Sequence, residues 1–313
     1  MRFEHQLPAI LAGTAMAMPV FGIATALVIT VPSAAMALSG EQVNDIAREV
    51  TVLIKGENGH GSGAIVSKNG ETYYVLTAHH VVAAKDKYKI VTSDKQAYEL
   101  QNITRLPGVD LAVVEFTSDK DYQVAKLANS DTVKEGKPVF VSGWPRLTTV
   151  GNAAGGQLVR QFTDGRVSGF LSQPLDGYKM IYTNTTLGGM SGGPVLDAGG
   201  RVVGIHGLGD TEDPARLQRE GLSREAASSI AGLIKPGFNY AIPINTFLQG
   251  AAQAGLYLGL QVENSPASEL GAPYVAGNQP DERDTIDDIN SVLDTAGRVI
   301  NTIDRVRRIR LPF

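Results

Sequence analysis

Cysteine is absent from the 313 residues, and with it go a thiol nucleophile, a thiolate metal site and a disulfide framework. A chain of this length can rest on its apolar core without cross-links, even in an oxidising compartment. Charge is missing from one long stretch: no residue between Gln6 and Gly40 carries any. No basic stripe occurs before the last few residues, and the formal net charge is only −4, so nothing supports a nucleic-acid partner. With 43% hydrophobic and 19% charged residues, global disorder is excluded. The length suits one large all-β domain or two ordinary domains.

The uncharged stretch is laid out as an export signal. Arg2 precedes an apolar run from Ala9 to Val31, and Ala35-Met36-Ala37 sits just before Leu38. This predicts a secretory signal peptide over 1–37, cleaved after Ala37, and a mature chain in the periplasm, the extracellular space or an equivalent lumen. The run is long enough to span a bilayer, so an uncleaved anchor is the rival, and membrane contact is expected only through it. Gly13, Pro19, Gly22 and Pro32 interrupt the run and favour cleavage.

From Glu49 onward short β-branched and apolar runs alternate with turn residues. The runs are Glu49–Lys55, Gly59–Val66, Thr72–Ala78, Tyr88–Thr92, Ala97–Ile103, Leu111–Phe116, Val139–Ser142, Met180–Thr183, Gly200–Gly207 and Phe238–Pro243. Such spacing predicts an all-β sandwich or barrel. Asn69-Gly70 is a hairpin dipeptide, and His60 reads as a solvated turn residue. Residues 38 to about 47 read as a mobile mature N-terminus or a short helix, and a closing helix fits Ile244–Leu258. Residues 210–237 break the rhythm as a helix-prone insertion between Pro214 and Pro236-Gly237. Residues 251–280 read as a polar linker. Over 281–313, Ile286, Ile289, Leu293, Ala296, Ile300 and Ile303 recur at three and four. That predicts an amphipathic C-terminal helix of heptad spacing, acidic at its start and basic at its end. It serves equally for docking on the rest of the chain or for self-association through 284–306.

The stretch Thr183-Asn-Thr-Thr-Leu-Gly-Gly-Met-Ser-Gly-Gly-Pro-Val-Leu196 carries the chemistry. Glycines around Ser191 permit positive φ and close approach of a substrate carbonyl, and the N–H groups of Gly189 and Ser191 can converge on one oxygen as an oxyanion hole. A serine needs a base, and the base an orienting partner. Upstream, Tyr73–Val82 is an apolar run broken by His79 and His80, and Asp110 stands at the mouth of Leu111–Phe116. Two adjacent strand residues face opposite ways, so only one histidine can serve.

Over about residues 48–250 these motifs resemble the chymotrypsin-like serine endopeptidases, with the trypsin, HtrA and glutamyl-endopeptidase branches all echoed. The order His, Asp, Ser is that family's. Its Thr-Ala-x-His pattern, set on Thr77-Ala78, puts the base at His80. The resemblance implies two perpendicular six-stranded antiparallel β-barrels within 38–250 and a triad of His80, Asp110 and Ser191. It also implies hydrolysis of protein or peptide substrates through an acyl-enzyme, with no cofactor and no metal. Met190 stands where trypsin-like zymogens carry Asp, so trypsin-style activation is not expected. The expected substrate pocket is formed by Thr185, Thr186, His206, Gly207 and Gly209. His206 with Thr186 resembles the acidic-P1 site of glutamyl endopeptidases, whereas Asp210, Glu212 and Asp213 close by would repel an acid. Thr185 replaces the pocket-base acid that trypsin-like specificity uses. A tail of this length is too short for the PDZ domain of an HtrA protein. The rival function is a catalytically silent member of the fold that binds peptides.

Overall fold

The computed structural model describes residues 38–146, 157–209, 237–267, 269–271, 281–286, 289, 292 and 293. The expected leader, the insertion after Gly209 and the tail beyond Leu293 lie outside these residues.

Helix α1 (Gly40–Val50) opens on a capping box, in which Ser39 and Gln42 exchange side-chain and backbone bonds. This satisfies N–H groups that a helix start otherwise leaves open. Val43 and Ala47 on its inner face pack against Phe140 and Leu196. The first sheet then runs β1 (Thr51–Lys55), β2 (His60–Asn69), β3 (Thr72–Ala78), β4 (Lys89–Val91), β5 (Ala97–Glu99), β6 (Asn102–Arg105) and β7 (Leu111–Thr117). Its spatial order is β5-β4-β1-β2-β3-β7-β6. β3 falls on the predicted boundaries, and Gly70 turns the β2–β3 hairpin with φ of 60°.

The second sheet is built from β8 (Leu127–Ala128), β9 (Pro138–Gly143), β11 (Gln161–Leu175), β12 (Tyr178–Tyr182), β13 (Pro194–Leu196), β14 (Val202–Gly209) and β15 (Asn239–Pro243), with β10 (Leu158–Val159) lying outside it. β13 bonds both β9 and β14, so β13-β9-β11-β12-β15-β14 closes into a six-stranded barrel. The first sheet meets the expectation differently. The single strand expected over Ala97–Ile103 is split: Leu100 N–H bonds the Tyr88 carbonyl and Gln101 N–H the Glu115 carbonyl. The chain therefore steps from one edge of the sheet to the other, and that bent segment, not a continuous ladder, joins the two edges. Between the sheets lies a shared core of Leu76, Leu111 and Val113 with Tyr178, Ile205 and Ile242. It is covered by Ile244 and Phe247 of helix α2 (Ile244–Gln253).

Downstream, the described residues pack back onto the domain. Within the expected linker, β16 (Val262–Glu263) pairs with β8, and Glu263 bonds Arg201 at 3.0 Å. The expected helix over 281–313 is not helical at its start. Glu282–Asp284 form a 3-10 turn and β17 (Thr285–Ile286) pairs with β10, because the Ile286 side chain enters a core with Leu53, Val91, Trp144 and Leu158. Ile289 is buried in the same core and Leu293 packs against it, so these three residues of the apolar stripe are spent within the chain.

A charged clamp fixes this segment. Arg160 is buried and gives Nε to Asp284 at 2.6 Å, Nη1 to Ser142 at 2.8 Å and Nη2 to Asn44 at 2.6 Å. Arg48 grips the same carboxylate at 3.0 and 3.1 Å. Burial pushes the Asp284 pKa up, but the two guanidinium groups outweigh it and hold the carboxyl below the usual carboxylate range. Removing one partner of such a group leaves buried charge uncompensated, at about 3–5 kcal/mol. Asp284→Ala is therefore expected to lower the melting midpoint by roughly 10 °C in calorimetry. A depressed pKa stabilises above the unfolded value of about 3.9 and is lost as pH falls through the folded one. The wild-type midpoint should consequently fall more steeply below about pH 4 than that of Asp284→Asn.

Candidate active site

His80, Asp110 and Ser191 are carried by three different segments of the chain. β3 ends at Ala78, and His79–Val81 continue as a 3-10 turn. The two histidines are thus successive residues of a turn with about three residues per revolution, not strand neighbours as the sequence suggested, and again only one can face a given partner. That one is His80: its Nδ1 lies 2.6 Å from Asp110 Oδ2 while its own N–H donates to Oδ1 at 2.8 Å. His79 is bound by its backbone alone to the Asp110 carbonyl, at 3.1 Å. Burial, aided by Arg105, moves its pKa down.

Asp110 sits just before β7. Burial raises its pKa, but hydrogen bonds from His80 and from the Tyr178 hydroxyl, the latter at 2.7 Å, outweigh it and keep the carboxyl below the usual range. It is held as an anion by donors on two sides.

Ser191 is half-buried on the turn before β13, and its main chain is held by Ser62. Ser62 N–H donates to the Ser191 carbonyl at 2.8 Å, and Ser62 Oγ donates to the Gly189 carbonyl at 2.9 Å. Arg146 N–H takes the Gly188 carbonyl at 2.7 Å. With these carbonyls fixed, the N–H groups of Gly189 and Ser191 are left without a protein acceptor among the described residues. Gly189 has φ of 101°, and a Cβ there would lie 2.6 Å from His60 Nε2 and from the Trp144 carbonyl, so the position suits glycine. His60 is not a solvated turn residue. Its Nε2 donates to that carbonyl at 2.9 Å, and burial moves its pKa down to about 4, so it stays neutral at pH 7. Met190 packs beneath the turn, 1% exposed, beside Val141 and Tyr182. The Ser191 hydroxyl donates to the Gly207 carbonyl at 3.1 Å rather than to His80.

The expected pocket residues divide by exposure. Thr185 is exposed and Gly209 half-buried, while Thr186, His206 and Gly207 are buried. Thr186 bonds Asn239, and His206 Nδ1 meets the Tyr182 hydroxyl at 2.6 Å. Asp210, Glu212 and Asp213 lie outside the described residues. Among the described residues no group of three or more His, Asp or Glu side chains is placed to hold a metal ion.

The model of the trypsin-like peptidase domain matches residues 61–205. This stretch is a trypsin-like peptidase domain. In this stretch the chain resembles the chymotrypsin-like serine endopeptidases. The chain is 29% identical over 165 residues to "Serine protease Do-like HtrA" of Bacillus subtilis (strain 168), covering 50% of this chain and 35% of that protein. It is 35% identical over 152 residues to "Probable periplasmic serine endoprotease DegP-like" of Pseudomonas fulva (strain 12-X), covering 47% and 28%. The chain thus spans about a third or less of the length of these relatives. A crystal structure of Rv3671c from M. tuberculosis H37Rv, a serine-to-alanine mutant in its inactive form, superposes with a TM-score of 0.50 at 19% identity. It covers 68% of this chain and 90% of that one and supports the fold alone.

Tyr178 and Ser62, which contact Asp110 and the Ser191 turn, were not among the residues the sequence singled out. Asp176-Gly177, a turn dipeptide between two runs, was the available signal for the hairpin that carries Tyr178.

Proposed function

We propose that the chain is an exported serine endopeptidase in which Ser191, His80 and Asp110 act as a triad and the N–H groups of Gly189 and Ser191 hold the oxyanion. The observation that carries this reading is the His80–Asp110 pair beside a serine turn with two unengaged N–H groups. The Ser191 hydroxyl turns from Gly207 to His80 and attacks the peptide carbonyl while His80 Nε2 takes its proton. His80 returns that proton to the leaving amine, and water activated by His80 then clears the acyl-enzyme. Asp110 keeps the imidazole proton on Nδ1 throughout.

Export rests on the signal-like residues 1–37 and on a relative described as periplasmic. Among the described residues no helix is long and apolar enough to cross a membrane. A preference for Glu at P1 demands more, because the substrate carboxylate must reach His206, which is 1% exposed and already meets Tyr182. The bond from Ser191 to Gly207 favours the second reading, a silent peptide-binding member of the fold.

A fluorophosphonate probe, which phosphonylates only an activated serine, separates the two. We expect one adduct, mapped by mass spectrometry to Ser191 and lost in His80→Ala, together with cleavage of fluorogenic peptides carrying Glu, Asp, Arg, Phe or Ala at P1. Highest rates on Glu support the acidic pocket, and highest rates on Arg or Phe discard it. An unlabelled Ser191 with no peptide cut leaves the silent protein.

A further inference from the structure

The first sheet does not hold Asp110 by itself. The β11–β12 hairpin of the second barrel reaches across to it. Leu175 pairs with Tyr178, leaving Asp176 and Gly177 as a two-residue loop with φ of 48° and 91°. Positive φ at both positions is the turn that matches strand twist, and Asp-Gly is its favoured sequence. The tip makes three contacts with Val109–Asp110. The Asp176 carbonyl accepts Asp110 N–H at 2.9 Å. Gly177 packs so closely that a Cβ would lie 3.0 Å from Val109 Cγ1. The Tyr178 hydroxyl donates to Asp110 Oδ2 at 2.7 Å, the same oxygen that faces His80 Nδ1.

The opposite side of the phenol is shaped as closely. Tyr178 is 2% exposed, and a Cβ on Gly207 would overlap its hydroxyl oxygen. Gly207 is the residue whose carbonyl receives the Ser191 hydroxyl. The phenol therefore occupies space that any other residue at 207 would fill, and its acceptor among the described residues is the carboxylate. Burial, followed by the adjacent Asp110, pushes the Tyr178 pKa well up, so it stays a donor at any working pH.

We propose that Tyr178 is a positioning residue of the proteolytic site: its hydrogen bond aims the Asp110 carboxylate at His80 Nδ1 and sets how strongly that carboxylate attracts the imidazolium. The proposal rests on the triad reading above. It ties the geometry of the His80–Asp110 pair to the barrel that carries the serine, so a shift of the hairpin tip alters the base directly.

Tyr178→Phe keeps the ring and removes only the hydroxyl. A hydrogen bond to a charged group is worth about 10- to 100-fold, and we expect kcat to fall by that factor with KM within about twofold. The carboxylate that loses a donor attracts the imidazolium more, so the acidic limb of kcat/KM should move to higher pH. A packing role alone moves neither kcat nor the limb. Proton NMR of the His80–Asp110 bridge gives a readout that needs no turnover: the deshielded Nδ1 proton should change shift in Tyr178→Phe, while the melting midpoint stays within a few degrees. Wild-type kcat, an unmoved limb and an unchanged bridge proton would overturn the proposal. Failure of the wild type to hydrolyse peptides would sink the triad reading but leave the bridge proton to decide the role of Tyr178. Should Tyr178→Phe fold poorly, Gly207→Ala, which displaces the phenol sterically, is read by the same resonance. An unchanged proton there also overturns the proposal.

Discussion

Peptide hydrolysis is expected to fall by about six orders of magnitude in kcat when Ser191 becomes alanine, with KM little changed. The nucleophile is lost, but the N–H groups of Gly189 and Ser191 and the surfaces that bind substrate remain. A residual rate above water can come from them. Stability should hardly alter, because the Ser191 hydroxyl makes one bond of 3.1 Å to the Gly207 carbonyl, and the turn is held by the main chain of Ser62 and Ser191. The measurement is a pair of rate curves on the best fluorogenic peptide, with a thermal melt of each protein. A variant that melts like wild type and keeps more than about 1% of the rate would show that hydrolysis does not pass through Ser191.

Asp110→Asn is expected to cost about 10⁴-fold in kcat, with the fold intact. The reason lies in who donates to Asp110. Oδ1 accepts the backbone N–H of His80, and Oδ2 faces His80 Nδ1 and the Tyr178 hydroxyl. An amide has one acceptor oxygen and one NH₂. The backbone N–H cannot reverse its polarity, so the amide oxygen settles there and the NH₂ faces the imidazole. His80 must then accept at Nδ1 and carry its proton on Nε2, where it cannot take one from Ser191. Alkaline assay should restore little, since the fault is a tautomer and not a charge. A drop of less than about tenfold would mean that Asp110 does not set the tautomer.

Much of this site was legible locally. β3 ended where its apolar run met the histidines, and the Gly-Gly-Met-Ser-Gly-Gly stretch could hardly be anything but a tight turn. His80 was separable from His79 although the local backbone is a 3-10 turn, because either geometry points neighbours in different directions. What stayed hidden depends on partners distant in sequence. Nothing near Leu100 announces that its N–H turns to Tyr88 while the next residue turns to Glu115. Tyr178 fell outside the expected runs, and its acceptor lies 68 positions away. Ser62 looked like a small residue in a glycine-rich turn. The apolar spacing of Ile286, Ile289 and Leu293 was read as one face of an amphipathic helix, for docking or for self-association, and spacing alone does not say what covers it. The packing of Ile286 and Ile289 against Leu53 and Trp144 does.

The clamp on Asp284 also orders events in time. Arg48 leaves the ribosome 236 positions before its carboxylate partner, a wait of roughly 10–50 s at ordinary translation rates. During that interval His80, Asp110 and Ser191 have all been synthesised. Yet Arg48 and Arg160 lack their shared counter-charge, and Trp144, whose carbonyl meets His60 beside Gly189, lacks Ile286 and Ile289 at its back. A nascent chain thus holds all three residues of the proposed triad before it holds the wall behind them, and the domain is completed only when its last described segment arrives.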